Sequence, residues 1–141
     1  MTWDEQQGGH TLSRHVNVTE DQVRQRAEQR AGEARQRIIA AQRRGRLRGQ
    51  DPNAVTAQAS AFYSLDRAEE AIQYVLDHST PQQLPNGRMI YSGTFLENVG
   101  YVYTYDWQTS TFVRSEADAL LIVIETAPDG TTFILTAYPI L

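Results

Sequence analysis

The chain contains no cysteine, which excludes disulfides and thiolate metal sites. Its stability must therefore come from apolar packing and hydrogen bonding. Lysine is also absent, and all 13 basic residues are arginine. This is read first as codon bias of a GC-rich genome. Phosphate binding is a use of the result, because guanidinium makes planar two-point bonds to phosphate. Long apolar runs are missing. The longest, Ala119 to Ile124, is strand-sized and far short of the ~20 residues that span a bilayer. The first residues lack the basic and apolar regions of a signal peptide. An export signal, if the domain is secreted, is expected on a larger parent protein. Histidine is scarce, with residues only at 10, 15 and 78.

The remaining composition, 40% hydrophobic and 21% charged over 141 residues, suits one domain with a real apolar core. The net charge of -4 mildly disfavours a polyanion partner, but it is unevenly spread. Residues 22–48 carry +7, residues 49–141 carry -8, and residues 1–21 carry -3. A basic segment on an acidic body can still line a polyanion site.

Residues 1–7 read as a polar tail, with Trp3 able to pack on the body, and residues 8–141 as one domain. Gly8-Gly9 then breaks local structure ahead of His10 and His15. Thr19 and Gln22 form a capping box. Apolar residues recur at Val23, Ala27, Ala31, Ala34, Ile38 and Ala41, predicting a helix over 20–43 that Gly32 weakens. Glu33–Arg37 is the expected four-residue ion pair on its solvated face. Residues 57–63 suit a short strand. A second helix over 66–78, capped by Ser64 or Asp66, has the apolar stripe Ala68, Ala71, Ile72, Val75 and Leu76. His78 at its end complements the helix dipole. Glu69-Glu70, and Glu116 with Asp118, read as solvated acids.

Strand signals follow at 88–95, 99–106, 119–126 and 131–138, with Gly93 and Gly100 explained by bulges or close packing. Ala127-Pro128-Asp129-Gly130 is a turn that makes the last two strands a hairpin. Helices first and strands after predict an α+β fold, with N-terminal helices packed on a C-terminal antiparallel sheet. Two-residue periodicity in the last strand places Phe133, Leu135 and Ala137 on one face. Thr132, Ile134, Thr136 and Tyr138 fall on the other, so a hydroxyl and a phenol stand side by side.

Three motifs occur in order: Gly8-Gly9-His10-Thr11-Leu12-Ser13-Arg14-His15-Val16, Ala59-Ser60-Ala61-Phe62, and Thr136-Ala137-Tyr138-Pro139. Together they resemble the bacterial RNase A-like toxin domain, the C-terminal nuclease module of contact-dependent growth inhibition and related polymorphic toxin proteins. The resemblance spans about Gly8 to Pro139. It implies an RNase A-like architecture without disulfides and a metal-independent ribonuclease that leaves 2′,3′-cyclic phosphate ends. His15 would transfer the proton. Arg26, eleven residues later, would clamp phosphate, Thr136 would donate a hydrogen bond, and Tyr138 would orient the phosphate or act as second proton donor. His10 is the alternative for that last role. The expected convergence is of the groups at 15 and 26 with those at 136 and 138 around one phosphate. Vertebrate RNase A uses a lysine that this chain lacks.

No cofactor is expected, since no glycine-rich phosphate loop is present. No metal is expected either, since His10 and His15 lack the i, i+4 pairing of a zinc helix. The implied partners are RNA and a cognate immunity protein, with no membrane span and a monomeric chain. Delivery as part of a larger secreted or cell-surface protein, with action in the target-cell cytoplasm, is implied likewise. A non-catalytic module holding RNA or an acidic protein, and a specific tRNA nuclease, are the rival readings.

Overall fold

A computed structural model describes residues 2–141, with the side chains of Thr2 and Trp3 outside the described set. The chain is α+β and divides into two compact units. Among the described residues the first comprises 2–18, 60–102 and 115–141, and the second 19–59 and 103–114.

The helices are α1 (Thr2–Gln6), α2 (Glu20–Arg43) and α3 (Leu65–His78). The strands are β1 (Thr56–Phe62), β2 (Gln82–Gln83), β3 (Met89–Thr94), β4 (Gly100–Asp106), β5 (Thr111–Ala117), β6 (Ala119–Thr126) and β7 (Thr132–Ile140). They form two sheets rather than one, ordered β1-β4-β5 and β2-β3-β6-β7. The four-stranded sheet is antiparallel throughout. Residues 2–6, read from the sequence as polar tail, form α1.

In the first unit, α3, the second of the helices predicted from the sequence, packs on β3 and β6 of the antiparallel sheet, and α1 lies against β7. Ser64 caps it by accepting a hydrogen bond from the Arg67 N–H. Its stripe of Ala68, Ala71, Ile72 and Val75 is buried with Phe62, Phe95, Val99, Leu120, Ile122 and Ala137. Two glycines allow close approach, one between helix and sheet and one between neighbouring strands. A Cβ on Gly93 would lie 3.4 Å from both Val75 methyls, and one on Gly100 would lie 2.1 Å from the Ala61 carbonyl oxygen.

β7 departs from the expected alternation. Val123 pairs with Thr136 but Ile124 pairs with Ile134, so Leu135 is an extra, bulged residue. Ile134 therefore joins Ala137 on the core face, while Phe133 shares the opposite face with Thr136 and Tyr138. The two hydroxyl residues remain neighbours, as periodicity predicts.

In the second unit, α2 begins at the capping box of Thr19 and Gln22 and buries Val23, Ala27 and Ala31. Gly32 does not divide it. The glycine faces Trp107, whose ring carbon would lie 3.5 Å from an added Cβ. Glu33 accepts from the Gln29 amide in place of the expected pairing with Arg37. Arg24 lies 5.2 Å from the Tyr103 ring centroid and donates to its hydroxyl at 2.9 Å. Arg35 covers Trp107 at 5.5 Å.

Two substitutions test this packing by urea denaturation. Gly100→Ala drives a methyl into the Ala61 carbonyl and is expected to cost about 3 kcal/mol or to prevent folding. Thr19→Ala removes the capping acceptor of α2 and should cost about 1 kcal/mol.

Candidate active site

The site in the first unit is assembled by the free edge of β7. β7 is the last strand of its sheet, so its outward backbone groups need other partners. Residues 4–11 supply them. The Asp4 carboxylate accepts from the Ile134 N–H at 2.8 Å, the His10 N–H donates to the bulged Leu135 carbonyl at 2.9 Å, and Thr11 Oγ1 accepts from the Ala137 N–H at 2.9 Å. Gly9 is required for the approach, because an added Cβ would lie 2.5 Å from the Ile134 carbonyl oxygen.

A π-helical turn, Leu12–Val16, follows at once. The Glu5 carboxylate accepts from the Leu12 and Ser13 amides at its start, and Val16 packs against the core. This turn presents His15, which is only 3% exposed. His15 Nδ1 lies 2.8 Å from the Ser60 carbonyl oxygen. A carbonyl only accepts, so Nδ1 carries a proton, and in the neutral ring the lone pair resides on Nε2. The tautomer suited to a general base at Nε2 is thus fixed by one backbone contact.

The His15 ring lies 5.3 Å from the Tyr138 ring, centroid to centroid. Tyr138 is half-buried, and its hydroxyl makes no hydrogen bond among the described residues. Thr136, on the same strand face, is 8% exposed, and its Oγ1 is buried with no hydrogen-bond partner among the described residues. A buried hydroxyl left in this condition costs about 1–3 kcal/mol unless a ligand or ordered water meets it. The first unit therefore brings together three of the sequence-predicted residues, His15, Thr136 and Tyr138. Arg26 belongs to the second unit, half-buried on α2 beside Ala27. His10 contributes its backbone N–H to the β7 edge.

Sequence reasoning missed the Ser60 carbonyl, which carries no side-chain signature. It also missed an acid with a partner. Glu116, read as solvated, accepts from the Tyr63 hydroxyl at 2.6 Å. Partial burial, with that carboxylate as hydrogen-bond partner and neighbouring charge, pushes the Tyr63 phenol up to about 12. The shift moves the ionisation of Tyr63 further above physiological pH. Glu69 borders an open cavity of about 240 Å³ with Asp4, Ile72, Gln73, Leu76 and Ile134. His78 is exposed, stacked on Tyr74 at 4.0 Å with Nδ1 2.8 Å from the Tyr74 carbonyl oxygen. That is a local contact at a helix end, as expected for a structural histidine. No three His, Asp or Glu side chains cluster as a metal set among the described residues.

No helix among the described residues is long and apolar enough to cross a membrane. No family model matches the sequence, and no curated protein matches it. A solved structure described as a CdiA-CT/CdiI complex from Y. kristensenii aligns over 94% of this chain and 100% of that chain, at 18% identity and a TM-score of 0.48.

Proposed function

We propose that this chain is a metal-independent ribonuclease toxin domain used in interbacterial competition, cleaving RNA by internal transesterification on an RNase A-like architecture. One observation carries the reading. A buried imidazole with its tautomer fixed by the Ser60 carbonyl lies against Tyr138, whose strand face also holds the unpartnered Thr136 hydroxyl. The ordered motifs support the same assignment.

In the proposed reaction, His15 Nε2 takes the proton of the ribose 2′-hydroxyl. The 2′-oxygen attacks the adjacent phosphorus and the bond to the 5′-oxygen breaks, leaving a 2′,3′-cyclic phosphate. The departing 5′-oxygen takes a proton from Tyr138, with His10 as the alternative donor. Thr136 donates to a non-bridging oxygen as negative charge develops there. Arg26 is assigned the phosphate clamp from its spacing after His15, through its planar fork. Such a domain would be delivered within a larger protein, act in the target-cell cytoplasm and be held inactive by a cognate immunity protein.

Two measurements test this. Purified protein incubated with total RNA and EDTA should generate cyclic phosphate ends at many sites, and His15→Ala should reduce the rate by about 10³-fold while still folding, at a stability cost of about 1–3 kcal/mol for the unpaired Ser60 carbonyl. Intact RNA with wild-type protein defeats the reading, and a single cut in one tRNA selects a specific tRNA nuclease instead. A pair of threonine variants separates binding from folding. Thr136→Val removes an unsatisfied buried hydroxyl, so it should be as stable as the parent or more so, yet about 10²-fold less active. Thr11→Val strips the acceptor from the Ala137 N–H and should destabilise by about 1–3 kcal/mol.

A further inference from the structure

The C-terminal end of α2 carries the densest charge of one sign in the chain. From Ala34 to Gln50 there is no acidic residue and there are six arginines. Arg35 is engaged, covering Trp107 and donating to the Asn53 side chain. Arg43, Arg44, Arg46 and Arg48 are all exposed, and none makes a side-chain hydrogen bond or ion pair among the described residues.

The loop bearing these four is built rather than slack. α2 closes in a Schellman motif, with the Arg46 N–H donating to the Ala41 carbonyl at 2.9 Å and the Gly45 N–H to the Gln42 carbonyl at 3.0 Å. Gly45 takes the left-handed conformation this needs, at φ 76°. The Gln42 side-chain amide then donates to the carbonyls of Leu47 and Gln50, tying down the far side of the loop. Part of the ordering cost of presenting the arginines is therefore met before any ligand arrives.

The chemistry of the patch selects among partners. Protein interfaces centre on aromatic and apolar anchors, but residues 33–54 contain no aromatic residue. Leu47, 45% exposed, is the large apolar side chain that stands out from the loop. With no stacking surface among residues 33–54, the loop itself is suited to backbone rather than base recognition.

We propose that Arg43, Arg44, Arg46 and Arg48 form a docking surface for the phosphodiester backbone of a nucleic-acid strand. That the strand is RNA rests on the reading of the His15 site. The phosphate contact does not. Arginine forks pair with phosphate oxygens and release condensed counterions, so the contact registers as salt dependence.

The test is fluorescence anisotropy with a 2′-O-methylated RNA strand of about 15 nucleotides, which lacks the nucleophilic hydroxyl and survives whether or not the protein is a ribonuclease. Wild type is compared with R43Q/R44Q/R46Q/R48Q across a salt series. Four phosphate contacts on a single strand contribute a slope of about 3 in log affinity against log salt. The quadruple variant should lose that much slope. Between about 50 and about 200 mM salt, wild-type affinity should then fall about fifty-fold further than the variant's. DNA of the same length should show the same difference, since phosphate contacts do not read the sugar. Equal slopes for wild type and variant overturn the proposal, as does a slope difference confined to RNA. So does tighter binding of wild type to a poly-glutamate peptide than to either strand, which would mark an acidic protein partner. Should the quadruple variant fail to fold, R44Q and R46Q singly are each expected to reduce the slope by about 0.7. Failure of the wild-type protein to cleave natural RNA would sink the ribonuclease reading and leave the slope comparison standing.

Discussion

An edge strand has to satisfy its backbone without recruiting another chain, and the first unit meets that constraint at β7 with its own N-terminal segment. No strand is added there. A carboxylate at Asp4, a main-chain N–H at His10 and a hydroxyl at Thr11 each take one backbone group of β7. This closes an aggregation-prone edge. It also determines where the chain goes next, because the π-helical turn begins one residue after the last stitch. The position of His15 is thus a consequence of edge protection. The glycine pair belongs to the same device. Gly8 turns the chain at φ 104° and Gly9 leaves room for the Ile134 carbonyl.

The parts that sequence rendered legible are those governed by local rules. α2 runs from 20 to 43, as its capping box and apolar spacing predict, and ends where Gly45 permits a Schellman motif. α3 and the last hairpin follow equally local signals. β5 was not legible. Its Thr111-Phe112-Val113-Arg114-Ser115-Glu116-Ala117 sequence is mostly exposed, so no buried face imposes an alternation. The two-residue β2, Gln82–Gln83, has no apolar content at all and exists only by pairing with β3. The division into two sheets is likewise a long-range outcome that periodicity within single strands does not encode.

The candidate site shows the same split. Motif order marked His15, Thr136 and Tyr138, and strand periodicity correctly made the last two neighbours. It failed one residue further back, because the bulge at Leu135 reverses the faces of Phe133 and Ile134. A bulge is a two-strand property, set by register against β6, and has no signature in β7 alone. The partner that fixes the His15 tautomer was equally invisible. It is a main-chain carbonyl 45 residues away, and every residue type carries one.

Two buried threonine hydroxyls on this small region are treated differently, and the difference bears on recognition. Thr11 meets a backbone N–H and is satisfied within the chain. Thr136, two strand positions from Tyr138, has no hydrogen-bond partner among the described residues. Its desolvation is already incurred on folding, so a ligand that offers an acceptor gains a hydrogen bond without the usual loss of one to water. An apolar ligand gains nothing from the same contact. A hydroxyl both donates and accepts, so either kind of group on a ligand would satisfy it; under the proposed function that group is a non-bridging phosphate oxygen.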